Sequence, residues 1–260
     1  MLKILKYSFY DLMRSKWTYA YFLFYLLLGF VLLFLNNDIS KAIITLMNII
    51  VILTPLIGTL FGVMYYYSSK EFTELLLAQP INRKTIFLGQ YFGLASSLAI
   101  SLVAGLGIPF LAYGLFESAQ IVNFMSLLTV GTFLTFIFSA LAYNIAIAND
   151  DKIKGFGYAI LLWLFLAVIY DGLFMISLIT FEEYPLDKVA LGASLFNPID
   201  LSRILIILKL DISALMGYTG AVMQKFFGTS MGMIISLSVL TLWSIIPIFS
   251  IVRKSNRKDF

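Results

Sequence analysis

Long apolar runs separated by short polar breaks dominate the chain. They cover roughly residues 17–35, 43–66, 86–113, 124–148, 156–180 and 231–252. Each is close to the roughly 20 residues that a helix needs to cross a hydrocarbon core, so the pattern predicts six transmembrane helices and an all-α integral membrane protein. Ahead of the first run, Leu2, Leu5, Phe9, Leu12 and Met13 share one helical face while Lys3, Lys6, Tyr10 and Arg14 share the opposite one. An amphipathic helix over 1–16 is predicted to lie along the inner membrane surface. Pro55, Pro109 and Pro247 fall inside runs, where each removes a backbone donor and can kink its helix. No heptad, solenoid repeat or low-complexity linker interrupts the pattern, so a single membrane domain is expected over 1–260.

Two connections are more than turns. Between the second and third runs, 67–85, Phe72, Leu75 and Leu76 have helical spacing, Ser69 stands where a cap belongs, and Pro80 comes where a helix must stop. A short amphipathic helix here suits docking into a groove of a soluble partner; the same spacing also fits a helix that only closes a turn. The connection over 181–230 is the longest. Its apolar stretch 199–210, broken by Asp200, Arg203 and Lys209, is too short to span and too apolar to stand free in water. Asn197 before Pro198 marks a helix start, Asp211 can cap another turn, and Gly217, Gly220 and Gly228 punctuate the rest of the segment. Met216, Tyr218, Met223, Phe226 and Phe227 supply apolar and aromatic surface. The segment reads as a helical gate half sunk in the outer leaflet that also presents a docking surface, or alternatively as a re-entrant plug.

Composition agrees with the pattern. The 260 residues are 61% hydrophobic and 12% charged, with a mean hydropathy of +0.95 that makes a bilayer the solvent. There is no cysteine and no histidine. That removes disulfides, thiolate nucleophiles, imidazole bases and the usual ligands of zinc. The net charge of +4 comes from basic residues beside apolar runs, which points to orientation in a membrane rather than to nucleic acid. No short apolar core followed by a small-residue cleavage site opens the chain, so the first run is expected to be retained.

If the breaks alternate sides, one side takes Lys3, Lys6, Arg14, Lys16, Lys70, Arg83, Lys84, Lys152, Lys154, Arg253, Lys254, Arg257 and Lys258. The other takes Lys41, Lys188, Arg203, Lys209 and Lys225. The positive-inside bias then puts both termini in the cytoplasm. Trp17, Tyr19, Tyr65, Tyr66 and Tyr67 stand at run ends, where interfacial rings are expected.

Little of the chain suggests catalysis. No Gly-rich loop ends in Gly-Lys-Ser or Gly-Lys-Thr, so ATP phosphates have no cradle here. Asp171, between Tyr170 and Gly172, is the acidic residue well inside a run, and no intramembrane basic partner for it is visible in the sequence. It reads as a cation site, a proton carrier or an ion-pair member, or as a carboxylate wetted at the outer interface. Ten methionines include Met175, Met216, Met223, Met231 and Met233 in the outer half. Thioethers bind Cu(I), but methionine is also an ordinary gap-filler, and no metal site is assigned. Glu182 and Glu183 read as a solvated loop edge.

Six spans, the basic amphipathic N-terminal helix and the string from Glu71, Phe72, Thr73, Glu74, Leu75 and Leu76 through Gln79 and Pro80 to Ile81 resemble the ABC-2 (type V exporter-like) permeases, in which the equivalent loop carries a coupling helix. The strings Phe196-Asn197-Pro198-Ile199-Asp200-Leu201-Ser202-Arg203, Leu210 to Val222 with Asp211, Met216, Gly217, Tyr218 and Gly220, and Phe226-Phe227-Gly228 resemble the NosY-type permeases of nitrous oxide reductase maturation systems. The resemblance implies a non-enzymatic homodimer that works with two cytoplasmic ATPase subunits, a periplasmic β-helical maturation protein and a copper chaperone, in support of the copper–sulfide centre of nitrous oxide reductase. It implies that ATP and Mg belong to the ATPase and that this chain carries no cofactor. Glu71, Phe72, Thr73, Glu74, Leu75, Leu76, Gln79 and Pro80 would then meet the ATPase. Asn197, Pro198, Asp200, Arg203, Asp211, Met216, Gly217, Tyr218, Gly220, Phe226 and Phe227 would shape the gate or dock. The alternatives are a generic ABC-2 exporter of a lipid, peptide or drug, a membrane-embedded enzyme, and an ATP-independent carrier. Against the enzyme stands the absence of histidine, cysteine and clustered intramembrane carboxylates. Against the carrier stand the coupling pattern and the lack of an inverted repeat.

Overall fold

The computed structural model describes residues 1–36, 38–180, 187–209 and 229–256, and all regular structure among them is helical. The amphipathic helix α1 (Leu2–Met13) leads into α2 (Lys16–Asn36) and α3 (Ile39–Ser68). The short α4 (Lys70–Leu77) joins α3 to α5 (Arg83–Ala112), and α6 (Ile121–Ala148) comes after a tight turn at Gly114. Then α7 (Lys152–Leu164) passes through a π-helical segment, Phe165–Ile169, into α8 (Tyr170–Thr180). A bent pair, α9 (Asp187–Phe196) and α10 (Pro198–Lys209), precedes the last helix, α11 (Ser230–Ser255). Six spans are long and apolar enough to cross a bilayer: α2, α3, α5, α6, the continuous α7–α8 and α11.

Local chemistry sets the helix starts. Asp38 accepts the Ser40 amide at 2.8 Å, Asn82 that of Lys84 at 3.2 Å, Asp151 that of Ile153 at 2.8 Å and Thr229 that of Gly232 at 3.0 Å. Each side chain satisfies an amide that the first helical turn leaves free. The helices run unbroken through Pro55, Pro109 and Pro247. At Pro247 the carbonyl accepts the side-chain amide of buried Asn144 at 2.6 Å, tying α11 to α6.

The core lies where α3 packs on α6, with α2 and α5 beside them and α11 against α6. α1 lies against α5 instead of resting on a membrane surface alone. A Cβ on Gly93 would stand 2.6 Å from the Ser8 side chain, and one on Gly89 would stand 2.9 Å from Ile4. These glycines, four residues apart on one face, admit α1 to backbone contact. Several ring positions differ from the sequence expectation. Trp17 and Tyr19 are exposed, but Tyr65 and Tyr66 are buried. Tyr66 meets the Tyr143 ring edge-on at 5.4 Å, because α6 covers the span end that the apolar pattern places at the interface.

Gly93→Leu is expected to cost about 1–3 kcal/mol by forcing α1 off α5. Gly107→Leu, where an added Cβ meets nothing within 4 Å, should change little. Thermal unfolding of both variants in detergent checks the difference.

Candidate functional site: a surface helix and a buried polar turn

At the end of the bundle where α1 begins and α11 finishes, α4 projects beyond the spans. Glu71, Glu74, Leu75, Gln79 and Pro80 are exposed, Leu75 to 69% of its surface. Phe72 is half-buried and stacks on Tyr7 of α1 with ring centroids 4.7 Å apart. Leu76 is also half-buried. Ser69 does not cap the helix through its side chain as its position suggested; its hydroxyl donates back to the Tyr66 carbonyl. Thr73 does the tethering. Its hydroxyl donates to the Ser69 carbonyl at 2.8 Å and accepts the Gln90 amide at 2.8 Å, while the Gln90 carbonyl accepts the Tyr143 hydroxyl at 2.7 Å.

Thr73, Gln90 and Tyr143 are all buried. A charge-free hydrogen-bonded chain therefore runs from α4 through α5 into α6. In low dielectric each such bond is strong, and losing one member leaves its neighbours unpaired. Neither Gln90 nor Tyr143 was singled out in the sequence. The available signal was a glutamine lodged in the apolar run 86–113.

The second constellation sits toward the opposite end. α9 and α10 are bent by 113° at Asn197. With ten residues α9 is about 15 Å long, half the hydrocarbon thickness. Its tip meets span five near the middle: Asn197 donates to the Leu166 carbonyl at 2.8 Å. A sharp break of this kind belongs to a broken span or a re-entrant turn. α10 is buried on several faces through Ile199, Leu201, Ile204 and Ile206, while Asp200 and Arg203 turn to polar partners.

One side chain satisfies most of this turn. Asn197 accepts the Ile199 amide at 3.0 Å, starting α10, and donates to Asp200 at 2.9 Å as well as to Leu166. Leu166 belongs to the π-helical segment, whose wider turn perturbs the usual carbonyl ladder. Irregular backbone at membrane depth requires such internal partners. Nearby, the Tyr170 hydroxyl donates to the Ala193 carbonyl at 2.7 Å, and the Trp243 indole donates to that of Leu195 at 3.2 Å.

Asp171 has the basic partner that the sequence did not reveal. Arg203 of α10 meets it at 2.8 Å and stands 3.8 Å from Asp200. The Asp171 and Arg203 side chains are 34% and 25% exposed, so the pair is part-buried and joins span five to α10. Distance along the chain hid it: thirty-two residues separate the partners. Pro198 opens α10. Asp211, Met216, Gly217, Tyr218, Gly220, Phe226 and Phe227 lie outside the described residues. Met125 and Met233 line an apolar groove of about 510 Å³ between α6, α10 and α11. Among the described residues, no three acidic side chains converge as a metal site would need.

No family model matches the chain. Two curated relatives do, both described as "Probable ABC transporter permease protein NosY". The one from Pseudomonas aeruginosa is 24% identical over 224 residues, spanning 78% of this chain and 80% of the relative. The one from Stutzerimonas stutzeri is 25% identical over 212 residues, spanning 75% and 76%. Fold and relatives together define the class as a multi-pass membrane protein similar to permease subunits of ABC transporters. Within that class its likeness is to the NosY-type permeases.

Gln90→Leu and Asn197→Ala should each lower stability by about 2 kcal/mol, because each leaves several buried polar groups unpaired. Asn123→Ala, which removes one part-buried bond to Gln120, should cost far less. Thermal unfolding in detergent ranks the three.

Proposed function

We propose that this chain is the membrane half of an ATP-driven complex that supports assembly of the copper–sulfide centre of nitrous oxide reductase, with α4 as the helix through which a separate ATPase acts on it. The carrying observation is the construction of α4: an exposed face of Glu71, Glu74 and Leu75, backed by the buried Thr73–Gln90–Tyr143 chain. An ATPase that binds one placement of α4 better than another shifts the permease between arrangements by that difference in affinity. Leu75 is the apolar anchor for such a groove, and the two glutamates select a basic rim.

On this reading the basic end and both termini are cytoplasmic, and ATP and Mg reside on two ATPase subunits. Two copies of the chain pair in the bacterial inner membrane. The Asp171–Arg203–Asp200 constellation and Asn197 hold the α9–α10 turn beneath the surface that meets a periplasmic β-helical partner, with a copper chaperone as the further periplasmic component. The NosY-type resemblance, over about three quarters of the chain, supports the choice of maturation role.

Expression with the genomic neighbours and purification through a tag on this chain tests the proposal. An ATPase and a periplasmic protein should be recovered together. Leu75→Asp should reduce ATPase recovery about tenfold, as loss of a central apolar anchor does. Recovery of the chain alone would contradict the reading. Because the chain has no cysteine, Leu75→Cys and Phe116→Cys also report orientation. A membrane-impermeant maleimide added to intact spheroplasts should label the second and spare the first.

A further inference from the structure

The sides of α1 meet different surroundings. Winding at about 100° per residue, Ser8 and Leu12 turn toward α5 and are buried. Tyr7 lies on one flank, against Phe72 of α4. Leu2, Phe9 and Met13 fall on the opposite flank. Met13 lines an apolar slot of about 220 Å³ together with Tyr19 and Phe22 of α2 and Ile100 and Ala104 of α5. The fourth side points away from α5 and carries Lys3, Lys6, Tyr10 and Arg14 around a shallow polar concavity of about 510 Å³, with Asp11 its one acidic member.

Arg14 of the cationic concavity and Met13 of the apolar slot are consecutive residues, so the two adjoin just ahead of α2. We infer that α1 and the slot beside it form a binding site for an anionic phospholipid, its headgroup among Lys3, Lys6 and Arg14 and one acyl chain against Met13. Long basic side chains keep their charge at headgroup level while their stems lie along apolar surface. Lys6 is held with its ammonium 5.9 Å from the Tyr10 ring centre. Each basic group near an anionic surface strengthens attachment about fivefold. An acidic soluble protein would use the cations but has nothing to place in the slot, which favours the lipid. Tyr7 lines the concavity as well as stacking on Phe72, so occupancy bears on where α4 is held. The inference rests on the span assignment and not on the transport reading, so either can fail without the other.

Native mass spectrometry of the purified protein, offered phosphatidylglycerol, phosphatidylcholine and the soluble headgroup glycerophosphoglycerol at equal concentration, tests it. Phosphatidylglycerol should be retained about tenfold better than phosphatidylcholine, and the soluble headgroup should not be retained. The triple change Lys3→Gln, Lys6→Gln and Arg14→Gln should lower phosphatidylglycerol retention about tenfold or more without changing phosphatidylcholine. Ala104→Phe, which fills the slot, should lower retention of both lipids. Should the triple variant fail to fold, Lys6→Gln and Arg14→Gln singly carry the same test with smaller losses. Equal retention of the two lipids by the intact protein, or undiminished phosphatidylglycerol on the charge variants, would overturn the inference. So would binding of the soluble headgroup as tight as that of the lipid, which would mark a phosphate site. Loss of a co-purifying protein with lipid retention unchanged would make the occupant an acidic protein surface and equally overturn it.

Discussion

A polar group inside a hydrocarbon layer has no water to turn to, so each one must find its partner within the fold. That constraint explains the two places where this otherwise apolar bundle is most ordered by specific bonds. At one end Gln90 can occupy a buried position only because Thr73 and Tyr143 take up its amide and carbonyl. At the other, the sharp bend between α9 and α10 exists at membrane depth only because Asn197 serves Leu166, Ile199 and Asp200 together. Apolar packing holds the spans side by side, and these bonds tie α4, α5 and α6 at one end and α7, α8 and α10 at the other.

A division of labour results. α4 has little apolar surface with which to hold itself to the bundle, since much of its outer face is exposed. Thr73 and the Phe72–Tyr7 stack fix it instead, one to α5 and the other to α1. A push on Leu75 is therefore carried by a hydrogen bond and a ring contact rather than absorbed by a floppy loop. Further along, Lys254 donates to the Asn144 carbonyl at 3.1 Å and Asn144 bonds Pro247, so α6 is also bound to α11, which Trp243 links to the bent pair. The elements needed to join the two ends of the molecule are in contact.

Much of the architecture was legible in the apolar pattern, because spans announce themselves by length and composition alone. The six runs, the short helix over 70–77 and the helix start at Asn197 are each local signals. What stayed hidden is pairing between distant positions. Asp171 gave no sign of Arg203, and Gln90 gave no sign of Thr73 or Tyr143, because a single sequence carries side-chain identity but not proximity. The burial of Tyr65 and Tyr66 was missed for the same reason: an aromatic at a span end looks alike whether it faces lipid or a neighbouring helix. The burial of α10 was not legible because the run 199–210 is too short to span, and length alone does not distinguish a surface helix from one packed into a bundle.

The central claim is that α4 receives the partner's work and passes it inward through Gln90. Hydrogen–deuterium exchange on the permease with and without its co-purified ATPase, in the presence and absence of ATP, tests this most directly. Protection of 70–77 by the ATPase, with a nucleotide-dependent change in α6 around Tyr143 that disappears in Gln90→Leu while the α4 protection remains, is the predicted result. Unchanged exchange in α4 when the ATPase is bound, or a nucleotide response in α6 that survives Gln90→Leu, would contradict it.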